Sequence, residues 1–141
     1  MPVSETISTC LVVTRHKLLP VQEEDVKHIC QQIAVHPELP TDLQQLKNFV
    51  KPYDAIIGVL PLTLQIQLIQ SGKKFITFAM TSLGVSETKE EAERKTTQYP
   101  GRTAILYPSK EGEKYRITLY EGLKLVKEIK VVDEWIIQHP S

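Results

Sequence analysis

The chain has no charge of one sign to spend on a partner. Its 141 residues carry 17 Lys and Arg against 17 Asp and Glu, a formal net charge of zero with His neutral. Up to Gln70 there are 5 basic and 7 acidic residues, and beyond it 12 and 10, so neither half is strongly charged. A protein that coats long nucleic acid needs a broad basic face, and none is expected here. A pocket for a small anion needs only a few local groups and stays open. Long apolar runs are also missing. No stretch approaches the ~18 residues of a membrane helix, so no membrane partner is expected. Met1 to Thr9 lacks the basic start and apolar run of a signal peptide.

Cysteine is scarce. Cys10 and Cys30 are the only two, each inside an apolar segment and without metal spacing. They read as buried thiols in a reducing cytoplasm, the expected location. The four histidines, His16, His28, His36 and His139, form no HxxxH pattern, so no metal site is expected. No Walker loop, GxGxxG, GxSxG or carboxylate cluster occurs. The lack of spaced carboxylates argues against two-metal nuclease chemistry. No cofactor is implied.

What is present reads as one α/β domain over residues 1–141. Ile7 to Val13 (ISTCLVV) is apolar on both alternating faces, the pattern of a central strand in a parallel sheet. Pro20 opens an amphipathic helix over Val21 to Ala34, with Val26, Ile29, Cys30 and Ile33 on its apolar face. Thr41-Asp42 caps a second helix through Val50. Asp54 to Leu60 is a second buried strand. Pro61 opens a third helix, closed by Ser71-Gly72. Lys74 to Met80 is a third strand, completing a core over 1–84. Residues 85–100, with the charged run Glu87 to Lys95, form a polar helix or a lid. Residues 101–141 read as an antiparallel β-meander: Thr103 to Tyr107, then Lys114 to Tyr120 and Leu123 to Val132 joined at a tight Glu121-Gly122 turn. Lys110 to Lys114 is expected to be a hairpin loop, and Trp135, Ile136 and Ile137 to dock on the core. The whole is an open, mostly parallel sheet flanked by helices, with antiparallel strands at its end.

Ligands of open α/β sheets bind beyond the carboxyl ends of parallel strands. Three such ends are visible. The first, Thr14-Arg15-His16-Lys17, gathers hydroxyl, guanidinium, imidazole and ammonium in four consecutive residues. The second, Leu60-Pro61-Leu62-Thr63, offers free backbone N–H groups at a helix start. The third, Thr81-Ser82, adds two hydroxyls. Together they suit a phosphate-bearing ligand. His28, His36 and His139 read as structural or surface residues.

Two families end their first strand in Arg-His. Histidine phosphatases follow it with Gly, where this chain has Lys17, and the chain lacks a later strand-end His. The better match begins at Val13-Thr14-Arg15-His16 and continues through Ile57-Gly58-Val59-Leu60-Pro61-Leu62, Gly72 and the strand Phe75 to Met80. Over roughly Leu11 to Met80 the chain resembles a family of small CRISPR-associated accessory proteins of type III systems. Val59 stands where that family has Thr. The resemblance implies a Rossmann-like core, a homodimer and a ring nuclease. Such enzymes cut cyclic oligoadenylate, a small RNA second messenger of antiviral defence, here most simply cyclic tetra-adenylate. On this reading the substrate's own 2′-OH attacks the adjacent phosphate without a metal. Arg15 and His16 are the expected catalytic residues. Thr14, Lys17, Leu60, Leu62, Thr63, Thr81 and Ser82 are the expected binding residues. The alternatives are a CARF-like sensor or sponge that binds the ring without cutting it, and a scaffold that uses its β-meander.

Overall fold

The computed structural model describes residues 6–106, 114–129 and 134–140. Its core is a six-stranded mixed sheet ordered β2-β1-β3-β4-β6-β5. The strands are β1 (Ile7–Val13), β2 (Cys30–His36), β3 (Ala55–Gly58), β4 (Lys74–Ser86), β5 (Thr103–Leu106) and β6 (Tyr115–Val126). The first four are mutually parallel, and β6 pairs antiparallel with both β4 and β5. The helices are α1 (Pro20–Ile29), α2 (Leu43–Val50), α3 (Leu62–Gln70) and α4 (Lys89–Thr96).

The continuous apolar run of β1 has the expected cause. Cys10 and Val12 face α1, in a core with Val26, Ile57, Phe78 and Tyr120. Leu11 and Val13 face the other way, among Leu46 and Val50 of α2 and Leu68 of α3. A strand covered on both sides has no polar face to show. Asp42 caps α2 by accepting the Gln45 N–H at 3.0 Å, and Thr88 caps α4 by accepting that of Glu91 at 3.2 Å. Pro61 is the residue that precedes the first turn of α3.

Five expectations need correction. The helix foreseen over Val21 to Ala34 stops at Ile29, and Cys30–His36 is a strand. Ile29, Cys30 and Ile33 fit the helical period, and they show no strand alternation that would set Cys30–His36 apart. The free edge of β1 decides the matter by pairing along Ile7 to Val13. The two cysteines are not free thiols but are joined as a disulfide. Their Cα atoms lie 6.2 Å apart, because β2 begins beside β1. The expectation of a reducing compartment, which rested on free thiols, loses that support.

The strand expected to end at Met80 runs on to Ser86, since β6 pairs with it throughout. Glu121-Gly122 is not a hairpin turn. Ala79 pairs with Gly122 and Met80 with Tyr120, so Glu121 is the extra residue of a β-bulge. Gly122 takes φ +143°, open to glycine without strain. The meander is thus two long antiparallel strands, β4 and β6, with the short β5 beyond them. The hairpin loop expected at Lys110 to Lys114 falls, apart from Lys114, outside the described residues, as do Val131 and Val132.

Trp135, Ile136 and Ile137 do not dock on the core: they are 74%, 93% and 72% exposed. Among the described residues no helix is long and apolar enough to cross a membrane.

Candidate functional site

The strand order fixes where a crevice must open. The chain leaves β1 toward β2 on one side, while it leaves β3 toward β4 on the other. The connections diverge beyond the carboxyl ends of β1 and β3, the usual ligand position in such sheets. Gly58 lets these two ends close up. A Cβ there would lie 2.8 Å from the Val13 carbonyl oxygen, too near for any other residue.

A cavity of about 800 Å³ occupies this position. Thr14 to Leu19, which follow β1, form one side. Pro37, Glu38, Leu39 and Thr41, which follow β2, form a second, and Val59, Leu60, Pro61 and Leu64 a third. The far wall comes from the antiparallel strands: Phe78 and Met80 of β4, Ala104 and Leu106 of β5, and Thr118 of β6. The lining is apolar except at the β1 and β2 loops and at Gln22 and Thr118.

Of the residues expected from sequence, Thr14, Arg15, His16, Lys17 and Leu60 meet here. Leu62 and Thr63 lie outside the cavity, exposed on the first turn of α3. Thr81 and Ser82 also lie outside it. They belong to β4, paired with Leu119 and Thr118, and are not a strand-end loop.

The β1 loop is ordered locally. Thr14 Oγ1 donates to the His16 carbonyl at 2.8 Å and accepts the His16 N–H at 3.2 Å. The hydroxyl thus shapes the turn that presents Arg15 and His16. The Thr14 N–H donates to the His36 carbonyl at 3.0 Å, joining the β1 and β2 loops. Arg15 then reaches across, its Nη2 2.8 Å from Glu38 Oε2, with both side chains exposed. His36 holds the second loop: its Nδ1 is 2.7 Å from the Glu38 carbonyl and its ring sits edge-on to Phe49 at 4.7 Å. Gln65 Nε2 donates to the Leu60 carbonyl at 2.7 Å, fixing the third loop.

Glu38, Gln22, Met80 and Thr118 were not singled out from sequence. Glu38 is separated from Arg15 by 23 positions, and only a strand at Cys30–His36 would have placed the two loops side by side. Met80 and Thr118 reach the cavity because β4 and β6 extend beyond β3, which no local pattern announces. Behind Phe78 lies Tyr120, ring to ring at 6.1 Å. Its hydroxyl donates to Asp25 Oδ2 at 2.7 Å. Burial pushes the Tyr120 phenol well above the ordinary tyrosine value, and the bond to Asp25 and its negative charge push the same way.

The charged segment after β4 is α4, anchored by the fully buried Ala92, and none of its residues lines the cavity. Among the described residues, no three His, Cys, Asp or Glu side chains group to hold a metal. No protein-family model matches the chain, and no curated protein or solved structure is similar to it.

Proposed function

We propose that the protein is a metal-independent ring nuclease acting on cyclic oligoadenylate, with cyclic tetra-adenylate as the first candidate. One observation carries the reading. Arg15, His16, Lys17 and the loop that starts α3 converge on one cavity at the point where the strand connections diverge. Guanidinium and ammonium donors side by side suit phosphate. The order of the parallel strands is also in keeping with the Rossmann-like core that the Thr-Arg-His resemblance implies.

A cavity of about 800 Å³ lies in the range of a drug-sized ligand. A four-nucleotide ring spreads further, so two copies around a two-fold axis share it, each taking half. In the reaction the ribose 2′-OH loses its proton to His16, and the 2′-oxygen attacks the adjacent phosphorus. The P–O5′ bond breaks, and the leaving 5′-oxygen takes up a proton from water at the open mouth. Arg15 exchanges Glu38 for phosphate oxygens and offsets the charge that develops there. Holding the 2′-oxygen in line supplies much of the acceleration.

A second reading has its own observation. The His16 side chain is exposed, and no described residue orients its imidazole. This favours a CARF-like sensor or sponge that holds the ring intact. One experiment separates the two. The protein is incubated with cyclic tetra- and hexa-adenylate in EDTA, and products are resolved by chromatography and mass. Linear adenylates with 2′,3′-cyclic phosphate and 5′-OH ends support the nuclease. They should vanish in Arg15→Ala and fall only in part in His16→Ala. Intact rings with tight binding support the sensor. Intact rings without binding overturn both.

A further inference from the structure

We infer that the apolar arm of the cavity, between Gln22 and the antiparallel wall, is an adenine subsite in which the Gln22 amide reads the base edge. This rests on the adenylate reading above and deepens it by placing the base.

Gln22 is 6% exposed, a rare depth for an amide. Its Oε1 accepts the Leu19 N–H at 2.9 Å and so secures the start of α1. Its Nε2 is directed to the Met80 sulfur, 3.8 Å away. A thioether is a weak acceptor, so this buried donor is poorly matched. Thr118 lines the same cavity, and its buried Oγ1 has no hydrogen-bond partner among the described residues. Phe78, Met80, Ala104 and Leu106 make the rest of this wall apolar. A flat heterocycle with polar edges matches such a lining.

The amide also states which heterocycle. Adenine presents N7 as acceptor and N6 as donor, the pattern that Gln satisfies with both of its ends. Oε1 retains a second lone pair beside the one given to Leu19. Guanine presents two acceptors, N7 and O6, and would set O6 against Oε1. With the base in the arm, the phosphate points to the mouth, where Arg15 and Lys17 are exposed.

The test uses the whole protein with AMP, GMP and ribose 5-phosphate, followed by calorimetric or NMR titration. AMP should bind about tenfold or more tighter than GMP, within what one bidentate amide–adenine pair contributes. Gln22→Leu should remove that preference while phosphate-dependent binding persists. Equal affinity for AMP and GMP, no AMP binding at millimolar concentration, or a folded Gln22→Leu that keeps the preference would each overturn the subsite. The comparison within the native protein decides even if the variant does not fold. Preference for AMP without ring cleavage leaves the subsite standing and removes the nuclease. Ring cleavage without the preference does the reverse.

Discussion

The hydroxyl of Tyr120 on β6 donates to the carboxylate of Asp25 on α1 at 2.7 Å, across 95 positions of sequence. This bond ties the antiparallel strands to the helix whose first turn carries Gln22. It is a link between the two walls of the cavity, made behind the cavity and not in it.

Tyr120→Phe should therefore lower stability by about 1.5–3 kcal/mol, the range for a lost hydrogen bond to a charged group. The pH dependence follows from the raised phenol. The unfolded chain releases this proton near pH 10, whereas the folded chain holds it. The contribution is complete below that pH and is lost as pH rises toward the folded-state value. Urea midpoints at about pH 8 and about pH 10.5 should fall further in the native protein than in Tyr120→Phe. Equal declines would disprove the linkage.

Gly58→Ala tests the closure of β1 on β3. The added Cβ meets the Val13 carbonyl at 2.8 Å, a backbone atom that cannot rotate aside. The expected cost is about 1–3 kcal/mol, typical of overpacking. Thermal unfolding reads it, and a midpoint equal to the native protein's would show that the strand ends are looser than described.

The Arg15–Glu38 pair is exposed on both sides, 72% and 66%, and should add little to stability, about 0.5 kcal/mol or less. Its effect is on anions. Glu38→Gln frees the guanidinium and removes a negative charge from the mouth, so AMP should bind severalfold tighter, with the gain shrinking as salt rises. Weaker binding in Glu38→Gln would mean that Glu38 orders Arg15 and does not compete for it.

The Cys10–Cys30 disulfide closes a loop of 20 residues, and a loop of that size stabilises by about 3 kcal/mol through the unfolded chain. Denaturation with an alkylating agent should add no label until a thiol reductant is present. The reduced protein should unfold at lower temperature. Two labels added without reductant would contradict the pairing.

Several features were legible because one residue pattern had one physical meaning. ISTCLVV is apolar on both faces, and only a doubly covered strand needs that. Asp42 and Pro61 mark helix starts through fixed chemistry. The four residues Thr14 to Lys17 could be placed at a strand end, and there they are. Other features depend on partners distant in sequence. Ile29, Cys30 and Ile33 satisfy a helix until β1 offers its edge, and missing β2 hid both Glu38 and the disulfide. Gly122 signals a tight turn until β6 is seen paired along β4, when the same glycine accommodates a bulge. That error placed Thr81 and Ser82 in a loop and left Met80 and Thr118 unnoticed.

The long β4 has a consequence for how this cavity can vary. Its first residues belong to the parallel sheet, while those from Phe78 onward pair only with β6. Because side chains alternate every residue, adding or removing two residues there would shift the far wall and keep its inward face. A change of one would turn Met80 outward. The size of the far wall thus depends on the length of the β4–β6 ribbon, while Thr14 to Lys17 are held by the parallel strands.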